Sequence, residues 1–213
     1  MTNKSESFSI EAYWQKATVA SGIPLADTRQ YLRGIIKAYS SPSRHYHSLQ
    51  HLEQVFTLVN EFEKELLHPD AVYFAIFYHD IVYNTWRKDN ENQSAKLSAT
   101  VLDAMGYDNK FINLVYHLIS STQHHLPKYA TNDFYYFLDA DLAILGSTPE
   151  QYQQYTQQIR KEYRLIPDLL YRPARKAILQ QLQQRPKLYY TQALQQRFKA
   201  QALTNLAWEI STL

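Results

Sequence analysis

The chain has 213 residues, 45% of them hydrophobic, and can therefore bury a sizeable core, most simply within one domain. It has no cysteine, which excludes disulfides, thiolate metal sites and cysteine nucleophiles, and its formal net charge is only +2. The opening MTNKSESFSI lacks the apolar stretch of a secretion signal, and no apolar run approaches the roughly 18 residues of a membrane span. We therefore expect a cytoplasmic protein with no membrane segment.

Helical patterns run along the whole chain. Only four glycines occur, and few stretches alternate apolar and polar residues, which favours helices over strands. Apolar spacing predicts helices over residues 8–20, 25–39, 48–67, 70–83, 91–105, 109–121, 132–145, 149–163, 167–184 and 191–210. The expected caps are Ser48 and Asp70 at helix starts, Pro149 near a start, and Gly106 and Gly146 after helix ends. The sequence predicts an all-α fold, a single-domain bundle of about ten helices over residues 1–213.

Two histidines lie near the start of the third predicted helix, in RHYHSLQHLEQVFTLV. His47 and His51 are four residues apart, so they share a helix face if the helix reaches back to His47. The apolar stripe of this helix consists of Leu52, Val55, Phe56 and Val59. Either histidine could be the inward one, and Val55, one turn after His51, favours His51.

The fourth predicted helix carries an adjacent His79 and Asp80 after the apolar run 71–78. A buried charged pair needs a partner, because desolvating it alone costs several kcal/mol. A neighbouring histidine and aspartate can both reach one divalent cation. Val72 and Ile76 share the spacing of His79, which therefore points into the core. The pair predicts a metal site.

Two aspartates follow in the segment FLDADLAILG. Asp141 shares a helix face with Phe134 and Phe137, whereas Asp139 is rotated by about 200° from it. Asp141 is therefore predicted to face inward and Asp139 to face away.

The candidates His51, His79, Asp80 and Asp141 follow the order H…HD…D. This order resembles that of the HD superfamily of metal-dependent phosphohydrolases, and the similarity covers residues 44–145. Together with NENQSA and FLDADLAILG, the pattern is most similar to a bacterial family of predicted HD hydrolases. The resemblance implies an HD-like domain with its metal site within about 44–145 and C-terminal helices over 149–212. It also implies that these four residues bind a divalent metal.

The stretch YHSLQH is similar to the YHNxxH motif of cyclic nucleotide phosphodiesterases, with Ser48 in place of the asparagine. This resemblance implies that His51 is a metal ligand and that His47 protonates the leaving group. The pair His124 and His125 is similar to additional histidines of HD enzymes, which bind a second metal or phosphate oxygens.

The predicted ligands suit a particular chemistry. Two imidazoles and two carboxylates favour Mn²⁺, Fe²⁺, Co²⁺, Ni²⁺ or Zn²⁺ over Ca²⁺ and leave positions for water and substrate. Asp80 would align the water, and His47 would protonate the departing oxygen. Glu91 has two possible roles. It either faces that water or a second cation, or it is an ordinary carboxylate in the first turn of a helix. We expect metal-dependent hydrolysis of a phosphate ester or anhydride in a nucleotide or related small metabolite.

Two other classes of function stay open. Residues 160–199 contain ten Lys/Arg against two acidic residues, which indicates either a solvated helical face or a surface for nucleic acid. The chain could then be a nucleic-acid-binding protein. Alternatively, it could be a catalytically silent HD module that binds a nucleotide or a protein and signals its presence.

Overall fold

The computed structural model describes residues 9–19 and 22–213, and the regular elements within them are all helical. The α-helices are α1 (Ile10–Thr18), α2 (Leu25–Tyr39), α3 (Leu49–Glu61), α4 (Pro69–Tyr78), α5 (Asn90–Ala104), α6 (Asn109–Ser121), α7 (Asn132–Asp141), α8 (Pro149–Glu162), α9 (Asp168–Gln183) and α10 (Gln192–Thr212). Short 3-10 turns cover Glu63–Glu65 and Leu142–Gly146. The predicted all-α fold is confirmed. Phe8 and Ala20, the predicted ends of the first helix, lie outside the described residues.

Helix α4 forms the centre of the larger core. Its residues from Ala71 to Tyr78 are all buried, and α1, α3, α5, α6 and α7 all contact it. A helix that is apolar on every side is stable only in such an enclosure. Trp14 of α1 and Phe56 of α3 both contact the ring of Phe77 near its end. The core thereby fixes the position of the residues that follow α4.

A second core joins α8, α9 and α10 to the 3-10 turn after α7. Its buried residues include Tyr152, Leu179 and Leu206. Phe198 of α10 packs against both cores. A Cβ added to Gly146 would lie only 2.6 Å from the Cβ of Phe198. Glycine at this position therefore allows α10 to pack directly on the turn.

Three helices end at least four residues earlier than predicted. The observed last residues of α3, α4 and α7 are Glu61, Tyr78 and Asp141. After α4, the carbonyl oxygens of Asp80 and Ile81 accept hydrogen bonds from the guanidinium of Arg44, at 2.7 and 2.9 Å. These bonds hold the chain in a turn, so that Asp80 does not lie on the helix.

Most of the predicted caps agree with the structure. These are Ser48 before α3, Gly106 after α5, Gly146 at the end of the 3-10 turn and Pro149 at the start of α8. The prediction for Asp70 was wrong, because the cap residue of α4 is His68. The backbone N–H of His68 donates to the carboxylate of Asp133, and the N–H of Ala71 in the first turn donates to Asp70 Oδ1. Among the described residues, no helix combines the length and apolar character needed to cross a bilayer.

Candidate metal centre

Three candidate ligand atoms converge where α3, α4 and α7 meet. The Nε2 atoms of His51 and His79 are 3.1 Å apart, and Asp141 Oδ1 lies 3.3 Å from the first and 3.6 Å from the second. The two histidines are buried, at 2% and 1% exposure, and the Asp141 side chain is 12% exposed. The three residues form a group that could hold a metal ion.

The spacing of these atoms fits a shared cation. Two ligands at about 2.1 Å from one ion, with an angle of about 90° to 110° between them, lie roughly 3.0 to 3.4 Å apart. The separations within the group, from 3.1 to 3.6 Å, are close to this range. Imidazole nitrogen and carboxylate oxygen also form a donor set that transition metals bind well. The residues therefore fit the type of ion that the sequence predicted.

A backbone contact orients His79 towards this group. The Nδ1 of His79 lies 2.8 Å from the carbonyl oxygen of Ile76, so it carries the proton and leaves Nε2 to face the other ligands. Burial lowers the pKa of His79, but the charges of Asp80 and Asp141 outweigh this effect and raise it to about 9. The same negative charge would favour a divalent cation.

Asp80 lies next to the group of three rather than within it. Its Oδ2 is 3.1 Å from His79 Nε2, 4.0 Å from His51 Nε2 and 3.8 Å from His47 Nε2. Burial would raise the pKa of Asp80, but the charges of His79 and His47 hold it well below its usual range. Asp80 is thus an ionised carboxylate between the candidate ligands and His47.

His47 lies before α3 and is held by Glu162 of α8. The Nδ1 of His47 is 2.7 Å from Glu162 Oε2, and the backbone N–H groups of residues 45–47 all donate to Oε1. The hydroxyl of Tyr83 also donates to Oε2, at 2.7 Å. These contacts turn the Nε2 of His47 towards Asp80. The structure therefore places His51 in the cluster and His47 beside it.

The burial of Glu162 could have been recognised from the sequence. Tyr152, Tyr155, Ile159 and Glu162 lie on one face of α8 at helical spacing. A carboxylate at the end of an apolar stripe indicates a buried polar contact. Because Glu162 lies among basic residues, its buried structural role was not inferred from the sequence.

His125 contacts Asp141, and C-terminal residues hold its backbone. The Nε2 of His125 is 3.0 Å from Asp141 Oδ2, and its φ of 48° lies in the left-handed region that non-glycine residues rarely adopt. The carbonyl oxygen of His125 accepts hydrogen bonds from Tyr190, at 2.8 Å, and Arg185, at 3.3 Å. Arg185 also donates to the carbonyl oxygen of His124. This strained backbone is therefore supported from outside the loop.

A cavity of about 350 Å³ adjoins the cluster. Its walls include His47 and Asp80, the aromatic residues Tyr83, Tyr155 and Tyr163, the cations Arg87, Lys88 and Arg175, and the predicted Glu91 and His124. Burial raises the pKa of Glu91. The side chain of His124 is exposed at the wall, whereas that of His125 reaches Asp141. The residues predicted to bind a second metal or the substrate phosphate are thus divided between the cavity wall and the cluster.

The prediction for Asp139 was wrong. Asp139 is fully buried and accepts hydrogen bonds from the backbone N–H of Tyr190 and of Thr191 and from the hydroxyl of Thr191, at 2.7 to 2.8 Å. The side of α7 that was expected to face solvent is covered by the start of α10. The helix therefore has an inward carboxylate on each of two faces.

Several residues of the basic segment make contacts within the chain. Arg175 pairs with Glu209, and Arg197 pairs with Glu61. Arg185 binds backbone carbonyls, as described above. A comparison of the chain with protein-family models, curated proteins and solved structures finds no match.

Proposed function

We propose that the protein is a metal-dependent phosphohydrolase acting on a phosphate ester or anhydride of a small metabolite. The observation that supports this most is the position of the His51, His79 and Asp141 cluster beside a cavity that also presents a histidine, a carboxylate and several cations. A cavity of about 350 Å³ is of the size that accepts a small metabolite.

The cluster and its neighbours would have distinct roles. His51, His79 and Asp141 would hold the divalent ion, which neutralises charge on phosphoryl oxygens and acidifies water when bound. Asp80, ionised and at the edge of the cluster, would orient the attacking water. Arg87 and Lys88 on the cavity wall attract the anionic substrate.

His47 would protonate the leaving oxygen. Burial lowers the pKa of His47, but the negative charges of Asp80 and Glu162 outweigh this effect and raise it. The imidazolium form therefore persists towards neutral pH. Because Glu162 binds Nδ1, the proton available for transfer is on Nε2.

The proposal is tested by metal analysis followed by a phosphate-release screen across nucleotides and other phosphate esters in the presence of Mn²⁺. His51→Ala should lose both bound metal and turnover. His47→Ala should keep the metal and lose about 10² to 10⁴ in kcat. Because p-nitrophenolate leaves without a proton, p-nitrophenyl phosphate should recover much of the His47→Ala loss if it is accepted as a substrate.

Three outcomes would contradict this assignment. If His47→Ala strips the metal and His51→Ala retains it, the roles of the two histidines are exchanged. If both variants keep metal and full activity, neither histidine has the proposed role. If the protein binds metal and nucleotide but releases no phosphate, a catalytically silent module becomes the better description.

The basic segment gives less support to a nucleic-acid-binding function. Arg175, Arg185 and Arg197 are held by contacts within the chain, so part of the positive charge is already compensated or oriented inward. Binding of nucleic acid that falls steeply with added salt would favour that alternative.

A further inference from the structure

Arg175 of α9 lies in the wall of the same cavity as His47 and Asp80. Its Nε donates to Glu209 Oε1 at 2.9 Å, and its Nη2 donates to Glu209 Oε2 at 3.2 Å and to the Tyr155 hydroxyl at 3.1 Å. Its Nη1 has no hydrogen-bond partner within residues 9–19 and 22–213. A guanidinium offers five N–H donors, so the two on Nη1 remain available.

The guanidinium of Arg175 is oriented before any ligand arrives. Glu209 binds the guanidinium through two parallel hydrogen bonds, and the side chain of Arg175 is only 12% exposed. Its Cζ also lies 5.3 Å from the centre of the Tyr155 ring. Because these contacts already restrict the side chain, a ligand that binds Nη1 pays little of the usual entropy of ordering an arginine.

A series of aromatic contacts links the metal cluster to Arg175. The ring of His51 is 4.9 Å from that of Tyr46, which is 4.5 Å from the ring of Tyr155, and Tyr155 contacts Arg175. In the part of the chain that the structure describes, the hydrogen-bond and ion-pair partners of Arg175 are Glu209 and Tyr155, and none of the candidate ligands is among them. The cavity wall also carries Tyr163.

We propose that Arg175 binds a second anionic group of the substrate, separate from the phosphate that is hydrolysed. This inference rests on the proposed function for the identity of the reacting group. The substrate class is then a compound with a phosphate at one end, a second phosphate or carboxylate at the other, and an uncharged middle that packs on tyrosine rings. A nucleoside bisphosphate has these features.

The inference is tested by calorimetric binding of adenosine 3′,5′-bisphosphate and adenosine 5′-monophosphate to the wild-type protein and to variants. The double variant Arg175→Gln with Glu209→Gln removes both charges, so it leaves the net charge unchanged and no buried ion unpaired. Glu209→Gln alone keeps the guanidinium. Arg172→Gln, one turn earlier on α9 at an exposed position outside the cavity wall, is a matched control.

The wild-type protein should bind the bisphosphate at least about tenfold more tightly than the monophosphate. Arg172→Gln should keep this ratio of affinities, and Glu209→Gln, which keeps the guanidinium but weakens the contact that orients it, should lose only part of it. In the double variant the ratio should fall to about one. An equal ratio in all four proteins, or an equal loss in Glu209→Gln and the double variant, would overturn the inference.

The experiment also separates the two proposals. Calorimetry requires no turnover, so a ratio that depends on Arg175 in a protein that releases no phosphate supports the anion site and contradicts the phosphohydrolase. Phosphate release with an affinity ratio that does not depend on Arg175 would support the phosphohydrolase and contradict the anion site.

Discussion

The carboxylate of Glu162 accepts hydrogen bonds from five donors, which are three backbone N–H groups, the His47 ring and the Tyr83 hydroxyl. The side chain itself is fully buried. One residue of α8 thus fixes both the path of the chain before α3 and the orientation of His47. Loss of its charge should affect stability and the proposed proton donor together.

Glu162 should make the protein sensitive to acid. Burial would raise the pKa of Glu162, but the hydrogen bond and charge of His47 lower it from 4.5 to about 2. A carboxylate with a depressed pKa stabilises the fold fully above pH 4.5, and this contribution is lost as the pH falls towards 2. The contribution amounts to about 3 kcal/mol.

Urea unfolding between pH 5 and pH 2 measures this effect. Wild-type protein should be more stable than Glu162→Gln at pH 5, and the difference should shrink by about 3 kcal/mol as the pH is lowered. A difference that stays constant with pH would contradict the lowered pKa.

Asp139 and Asp141 of α7 should respond differently to substitution. Asp141→Asn should lose bound metal, because the amide is a poorer ligand next to His51 and His79. Asp139→Asn should retain the metal but lose about 1 to 3 kcal/mol of stability, because its amide group would face the N–H donors of residues 190–191. Metal analysis and urea unfolding of both variants distinguish these effects, and the reverse pattern in metal content would contradict the assignment.

Helical periodicity predicted the inward orientation of His79 and Asp141 and favoured His51 over His47, because each follows the apolar stripe of its own helix. It could not predict Asp139, whose partners are about fifty residues further along the chain and cover a face that the local pattern leaves polar. The role of Glu162 was also set by a distant segment. Local spacing reports which face of a helix is apolar, but not which polar residue finds a partner on another element.

At the level of the elements, helix ends were predicted less well than helix existence. The apolar pattern continues through Ile81 and Val82, so it predicted that α4 extends beyond His79. The actual end depends on Arg44, which binds carbonyl oxygens of the turn from more than thirty residues away. This turn gives Asp80 its position beside the cluster, and no local signal in the sequence specifies it.

The contact between the 3-10 turn and α10 should tolerate no side chain at position 146. Gly146→Ala should cost about 1 to 3 kcal/mol, because the added Cβ would overlap backbone and Cβ atoms of Phe198. Gly34→Ala is a matched control, since a Cβ there meets nothing within 4 Å. Gly34 lies inside α2, so this change should stabilise the protein by about 0.5 to 1 kcal/mol.

Thermal or urea unfolding of the two alanine variants compares them directly. Equal effects of the two substitutions would mean that α10 does not pack on the turn as closely as described.

For the whole molecule, the candidate metal centre depends both on the helices that carry the ligands and on the C-terminal helices. The ligands come from α3, α7 and the end of α4, whereas the C-terminal helices and the loop before α10 contribute Glu162, Arg185 and Tyr190 as supports. A site assembled from such distant segments exists only in the folded state. Binding of a cation should therefore stabilise the fold as a whole.

The melting temperature should rise when metal is restored to chelator-treated protein. At a hundredfold excess over Kd, a ligand of the folded state adds about 2.7 kcal/mol. For a chain of this size the gain corresponds to roughly 5 to 10 °C. Scans with and without Mn²⁺, Fe²⁺, Co²⁺, Ni²⁺ or Zn²⁺ measure it, and Asp141→Asn should show no gain. An unchanged melting temperature with every ion would contradict the metal site.

The carboxylates of Asp139 and Asp141 in α7 also restrict how the chain length can vary. Asp139 and Asp141 point about 200° apart around the helix axis, and each is bound to a different part of the protein. Inserting or deleting one residue within α7 would rotate the following turn by about 100° and move it along the axis, so at least one aspartate would leave its partners. Insertions should therefore be tolerated in the exposed parts of the neighbouring loops and excluded from this short helix.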